Sequence, residues 1–172
     1  AIDGLEGMRQ IWTAAGRDIS DLSATAFALG CVLKDGEPAD SERAMAQAGP
    51  RAAVILHRAA DEALAGLPNS TPVSGELAEA VDGYVKVARG FEPADAPYLQ
   101  NHRGHLMFVK PEERRFVTAD LIRSTSFTAE EGALKQRVEA LRAAGYGQFT
   151  IQIVPGQEDA IDDWGRIKRA FD

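Results

Sequence analysis

His102, Arg103 and His105 form the tightest group of titratable nitrogens and fixed charge in a 172-residue sequence that holds only three histidines. Imidazole and guanidinium at this spacing can bind a polar or anionic substrate, move a proton, or contribute to a metal site. A metal centre needs more ligands than this pair offers, and Glu112 and Glu113 beside it show no diagnostic spacing, so no metal is expected. A solvated loop is the plainer reading of the same residues. His57 stands one helical turn before Asp61, which predicts a local hydrogen-bonded pair rather than a catalytic one. Cys31, the single cysteine, lies inside an apolar run and reads as a buried, inert thiol. Trp12 and Trp164 each occupy an apolar helical stripe, where core packing is the simplest role.

Other chemistry is harder to find. No glycine-rich phosphate loop of either common type is present. The turn Val154-Pro155-Gly156-Gln157 joins a strand to a helix start, a position that often binds anions. Glu158 and Asp159 follow at once and would repel a phosphate, so the turn reads as a pocket wall. The hydroxyls of Ser124, Thr125 and Ser126 read as turn and capping groups. Every acidic pair lies at a helix start or on a polar face, which leaves no identifiable general acid and base. Thr150 and Gln152 are polar positions on one face of an otherwise apolar strand, and that face is either the lining of a site or simply wet.

The elements that would position these residues follow from periodicity. Leu5, Met8, Trp12 and Ala15 recur at helical spacing behind an Asp3/Glu6 capping box, with Gly16 as the stop. Residues 23–33 form an unbroken run that reads as a buried strand. Its bulky face carries Phe27, Leu29, Cys31 and Leu33; its small face carries Ala26, Ala28, Gly30 and Val32, with room for another backbone or a ligand. From Ser41 an alanine-rich stretch reads as two helices divided at Gly49-Pro50. A loop over 67–72 leads to a helix capped by Ser74, with Leu77, Val81, Tyr84, Val85 and Ala88 as its stripe. Residues 91–115 are irregular. Thr128 and Glu131 predict a second capping box for a helix bearing Leu134, Val138 and Leu141, with Gly145 at its stop. Residues 148–154 alternate as a strand, with Phe149, Ile151 and Ile153 on one side. A last helix from about Glu158 turns Ile161, Trp164, Ile167 and Phe171 inward, acidic at its start and basic at its end.

Composition narrows the class. A hydrophobic content of 45% supports a real core, and the 26 acidic against 19 basic residues give a net charge of −7. That balance opposes non-specific binding to nucleic acid or to an anionic membrane. No apolar run approaches the roughly 18 residues of a membrane span. One cysteine fits a reducing, cytoplasmic setting. Two good strands about 115 residues apart cannot by themselves make a covered parallel sheet, whose ordinary crossover takes roughly 30 residues. The chain opens at Ala1 without a methionine and enters a helix signal at once. Together these features read as a piece of a longer protein whose missing strands precede Ala1.

The segment 128–171 resembles the C-terminal end of the luciferase-like monooxygenase superfamily. It carries the capped helix, the stop Ala143-Ala144-Gly145-Tyr146-Gly147, the strand, the Pro155-Gly156 turn and the closing helix. The opening Asp3-Gly4-Leu5 helix, the turn Ala14-Ala15-Gly16-Arg17-Asp18 and the strand from Ala24 to Leu33 look like the preceding barrel unit. Among variants, the chain is most similar to the methylene-tetrahydromethanopterin reductase-like flavin- or deazaflavin-dependent oxidoreductases. The resemblance covers both ends well and the middle loosely, and it rests on order and spacing rather than on one motif.

The resemblance implies an α/β fold: the C-terminal part of a (β/α)8 TIM barrel, with a helical insertion over about 41–117 between the last two strands. Family members are barrels of about twice this length. Gly30, Gln152, Pro155, Gly156 and Gln157 then match strand ends bordering a cavity for FMN or a deazaflavin. His102, Arg103 and His105, in the stretch 91–115 that could cover it, become substrate-binding candidates. One departure stands out: the family's usual Gly-Thr-Pro-Glu is Phe127-Thr128-Ala129-Glu130 here. The implied activity is hydride transfer between that cofactor and a small organic substrate, with a homo-oligomer possible. The competing reading is a non-catalytic helical interaction domain, which explains the scarcity of catalytic residues but not two strands that each precede a helix.

Overall fold

The computed structural model describes residues 1–70 and 74–172. The end of the expected 67–72 loop therefore lies outside the described residues. Helix α1 spans Ile2–Ala14, strands β1 and β2 span Thr25–Ala28 and Val32–Leu33, and helix α2 spans Glu42–Leu64. Helices α3 (Glu76–Ala88), α4 (Tyr98–Asn101) and α5 (Ala119–Thr125) follow. Strand β3 (Ala129–Glu130), helix α6 (Glu131–Ala143), strand β4 (Gln148–Ile151) and helix α7 (Ala160–Lys168) close the chain. The fold is mixed α/β with two short parallel sheets, β1 against β4 and β2 against β3. Among the described residues no closed barrel is formed.

The expected single strand over 23–33 is two strands, because the chain changes partner halfway along it. Thr25–Ala28 pairs with Gln148–Ile151, and Val32–Leu33 pairs with Ala129–Glu130. Gly30 lies at the changeover, where the Phe127 backbone crosses so closely that a Cβ would meet the Phe127 carbonyl oxygen at 1.9 Å. The room on the small face thus admits chain. On the bulky face Leu29, Cys31 and Leu33 are buried as expected, but Phe27 is 62% exposed. Its neighbours in β4 supply no cover at that end of the strand.

Thr128 does not cap a helix. Its hydroxyl accepts from the Cys31 backbone N–H at 3.2 Å and meets Ser126 Oγ at 2.7 Å, tying β3 to the changeover in β2. Glu130 is the N-cap of α6 and makes no side-chain capping bond. The Asp3/Glu6 box is likewise unformed, since α1 begins two residues earlier with Ala1 as its N-cap, and of its stripe only Leu5 is buried. Ser74 also gives way as a cap, to Gly75.

Helix α2 runs unbroken through Gly49-Pro50. Proline removes one donor and strains the preceding turn, yet a helix buried on nearly every side can absorb that cost. Pro50 is fully buried, and Gly49 is pressed by Met45 and Val109. Around α2 gathers the larger core, with Leu56, Val81, Tyr84, Phe91, Leu121 and Ile122. A smaller core holds Val32, Leu134, Ala160, Trp164 and Ile167 between β2, α6 and α7, with Phe149, Ile151 and Ile153 packed against it. Ile161, expected inside, is 58% exposed. No helix among the described residues is long and apolar enough to cross a membrane.

Candidate functional site

The site grows from one buried ion pair. Lys110 and Glu113 are both 0% exposed, with Lys110 Nζ 2.8 Å from Glu113 Oε2. Two buried opposite charges persist only when further hydrogen bonds complete them. Glu113 Oε1 accepts from the Lys110 backbone N–H at 2.8 Å. Lys110 Nζ also donates to the Asn101 carbonyl and lies 3.3 Å from the Tyr84 hydroxyl. Tyr84 in turn donates to Asn101 Oδ1 at 2.8 Å. Helices α3 and α4 and the 110–113 turn are thereby joined through polar groups inside an alanine-rich core.

His57, on the inner face of α2, joins the same network. Its Nε2 lies 2.8 Å from Glu113 Oε2 and its Nδ1, buried, has no partner among the described residues. Asp61, one turn further on, does not bond the His57 side chain as the spacing suggested. Its carboxylate takes Asn101 Nδ2 at 2.8 Å and His102 Nε2 at 2.6 Å. Asn101 Nδ2 also donates to the His57 carbonyl at 2.9 Å, which fixes the end of α4 onto α2.

His102 and His105 are brought together by the turn that follows α4. Gly104 has φ +73° and Leu106 φ +60°, left-handed positions that a leucine adopts at a cost. His102 Nδ1 then lies 3.2 Å from His105 Nδ1. The three imidazole centroids stand 5.2 to 5.7 Å apart. One nitrogen from each ring lies within 4.8 Å of one from the other two, a group able to hold a metal ion. The sequence offered only two of these ligands; His57, 45 residues earlier, is the third. Arg103 points outward and pairs with Glu112 at 3.4 Å.

Burial and nearby charge act against protonation of two of these rings, His57 and His105. Burial lowers the His57 pKa against the pull of Glu113, and Lys110 pushes the same way as burial. Burial also lowers His105, with help from His102, His57, Arg51 and Lys110. For Glu113, burial acts upward, but the hydrogen bonds from His57 and Lys110 prevail and hold the carboxyl below its ordinary value. Burial, then the Glu113 charge, raises the Tyr84 phenol. Cys31 is buried and its thiol is pushed up to about 12 by desolvation, so it is inert, as expected.

Of the strand-end residues, Gln152 meets the histidine loop: its Nε2 donates to the Leu106 carbonyl at 3.2 Å. The others do not converge there. Gly156 N–H is taken by the Glu158 carboxylate at 2.9 Å, which leaves the Pro155-Gly156-Gln157 turn no free donor at that position. Ser124, Thr125 and Ser126 bond back to the carbonyls of Leu121 and Ile122, as turn groups do. Lys110 and Asn101 escaped sequence reasoning, Tyr84 was read only as part of an apolar stripe, and Glu113 was set aside for want of a diagnostic spacing. Lys110-Pro111-Glu112-Glu113 has the look of a solvated charge run, and its only local signal was a proline that fixes the turn. No protein-family model, curated protein or solved structure matches the chain.

Proposed function

We propose that the chain is part of a flavin- or deazaflavin-dependent oxidoreductase, in which His102, Arg103 and His105 face a small organic substrate. The observation that supports this reading best is the Gln152–Leu106 bond, since it sets the histidine loop over the C-terminal end of a parallel strand. Parallel α/β sheets and barrels bind their ligands at that end. Among the described residues β1 and β4 pair only with each other, which suits a sheet continued by further strands.

The residues present do not fit the phosphate-bearing half of a flavin. Gly156 N–H is occupied by Glu158, and the space at Gly30 is filled by the Phe127 backbone. We therefore derive no step through the cofactor. The chain's own share is recognition: the turn after α4 presents two imidazoles and one guanidinium beside a strand end, backed by the buried Lys110–Glu113 network.

The test begins with the intact mass of the protein from its native host. A mass near twice 18.5 kDa, with flavin or deazaflavin bound and Arg103→Ala raising KM for the substrate, supports the proposal. A native mass near 18.5 kDa with no binding of either cofactor overturns it in favour of a helical interaction domain.

A further inference from the structure

We propose that His57, His102 and His105 bind a divalent transition-metal ion, zinc foremost, with the remaining coordination position open to solvent. Neither the oxidoreductase reading nor its cofactor enters this argument. It stands on the disposition of six nitrogens and two carboxylates.

A metal-ligating histidine typically donates its second ring N–H to a carboxylate, which fixes the tautomer and leaves the ligating lone pair aimed at the ion. Two of the three rings have that partner in place. Glu113 Oε2 holds His57 Nε2 at 2.8 Å, and Asp61 Oδ2 holds His102 Nε2 at 2.6 Å. Each bond leaves Nδ1 as the free nitrogen. His57 Nδ1 is the telling atom, because His57 is 1% exposed and this nitrogen has no partner among the described residues. A buried polar atom without a partner costs free energy unless something occupies it. A cation does so here.

Distances agree. His102 Nδ1 and His105 Nδ1 are 3.2 Å apart, close to the roughly 3.3 Å that separates two ligands on a tetrahedral ion with bonds of about 2.0–2.1 Å. One nitrogen from each of the three rings lies within 4.8 Å of the other two, and closing them onto one ion takes a rotation of the exposed His105 and half-buried His102 rings toward the fixed His57. Three imidazoles suit zinc, copper, nickel or iron rather than magnesium or calcium. Local charge is mixed: Asp61 and Glu113 hold two of the rings, while Lys110 Nζ lies 3.2 Å from His57 Nε2 and Lys110 and Arg51 act on His105, so the site relies on its imidazole donors rather than on net negative charge.

The experiment is a titration of the full chain, dialysed against EDTA and returned to metal-free buffer at pH 7.5. Zinc is followed by calorimetry, and cobalt by the visible absorption that nitrogen coordination gives. One equivalent of zinc should bind saturably, and cobalt should develop the same stoichiometry. His105→Ala, at an exposed ring whose loss leaves the core intact, should weaken binding by about 100-fold or more, and His102→Ala should do the same. Asp61→Asn should weaken it by about 10- to 100-fold while leaving the three ligands in place. Arg142→Ala, at an exposed position on α6 away from the site, should bind as the unsubstituted chain does. Absence of saturable one-to-one binding overturns the proposal, as does binding that His105→Ala leaves unchanged in a variant whose circular dichroism shows it folded.

Discussion

At the scale of single residues, the molecule concentrates its electrostatic risk in one place. Lys110 and Glu113 are buried together, and removing one partner strands the other without water. Glu113→Ala should therefore cost about 3–5 kcal/mol in urea unfolding, the range for breaking a buried pair. A loss under 1 kcal/mol would mean that water reaches Lys110 and that the network is not closed. The same residues set the acid response. His57 faces Glu113 and Lys110, His102 and His105, and Tyr84 from three packed segments, and its pKa is lowered, chiefly by burial. His105 is lowered for the same reason. Between the ordinary histidine value of 6.5 and those lower folded values, the unfolded chain binds more protons than the folded one. Stability from this source is complete above 6.5 and is lost as pH falls through the folded values. Glu37 adds a second, more acidic window. Its hydrogen bond with Arg43 leads the causes that hold its pKa at about 2, so its contribution is present above 4.5 and fades as pH falls toward 2. Urea midpoints at pH 7.5, 6.0 and 5.0 should decline in order, and a midpoint that rises on acidification would refute the histidine assignment.

At the scale of elements, the periodic segments were legible in the sequence and the junctions were not. The stripe of α3, with Val81, Tyr84 and Ala88 buried, the face of α6, with Leu134 and Leu141, and the Gly145 stop at φ +97° all follow from spacing. Helical periodicity survives because it reports which face is wet. Thr128 shows what spacing misses. A Ser/Thr three residues before a glutamate fits a capping box equally well whether or not another strand lies within reach of its hydroxyl. Here the Cys31 N–H, 97 residues away in sequence, takes that hydroxyl first. The one-strand reading of 23–33 failed for the same reason, since only the tertiary partner decides where pairing changes hands. The candidate site divides likewise: His102 and His105 were visible as neighbours, whereas Asp61 reaches His102 across 41 residues and Glu113 reaches His57 across 56. Thr128→Val separates the two roles of Thr128. As a bridge, its loss leaves a buried Cys31 N–H unsatisfied and should cost about 1–3 kcal/mol in global unfolding. Were it a cap, hydrogen exchange would instead show fraying confined to the first turn of α6, with Cys31 protection unchanged.

At the scale of the whole molecule, two cores of unequal finish face each other across the short sheets. The larger, around α2, is closed. The smaller is open along one side, where a hollow of about 510 Å³ is lined by apolar groups including Leu141, Phe149, Ile153, Trp164 and Phe171. Ile161 stands at its rim, 58% exposed, and Phe27 is bare on the strand beside β4. Unpaired parallel strands next to exposed apolar surface are a template for association. The net charge of −7 opposes such contact only weakly at physiological salt, where charges more than about 8 Å apart are screened. The 172-residue chain should accordingly self-associate as concentration rises, and more so at high salt, when sedimentation is followed. Ile161→Lys puts a charge at the mouth of the hollow without touching a buried contact. It should shift the distribution toward monomer by several-fold in association constant while leaving the urea midpoint within the range of an ordinary surface substitution. If the chain is monomeric at all concentrations, or if Ile161→Lys leaves association unchanged, the hollow is not the adhesive surface. The open side of the small core would then be a stable feature of the fold, and the case for further strands beside β4 would lose its physical support.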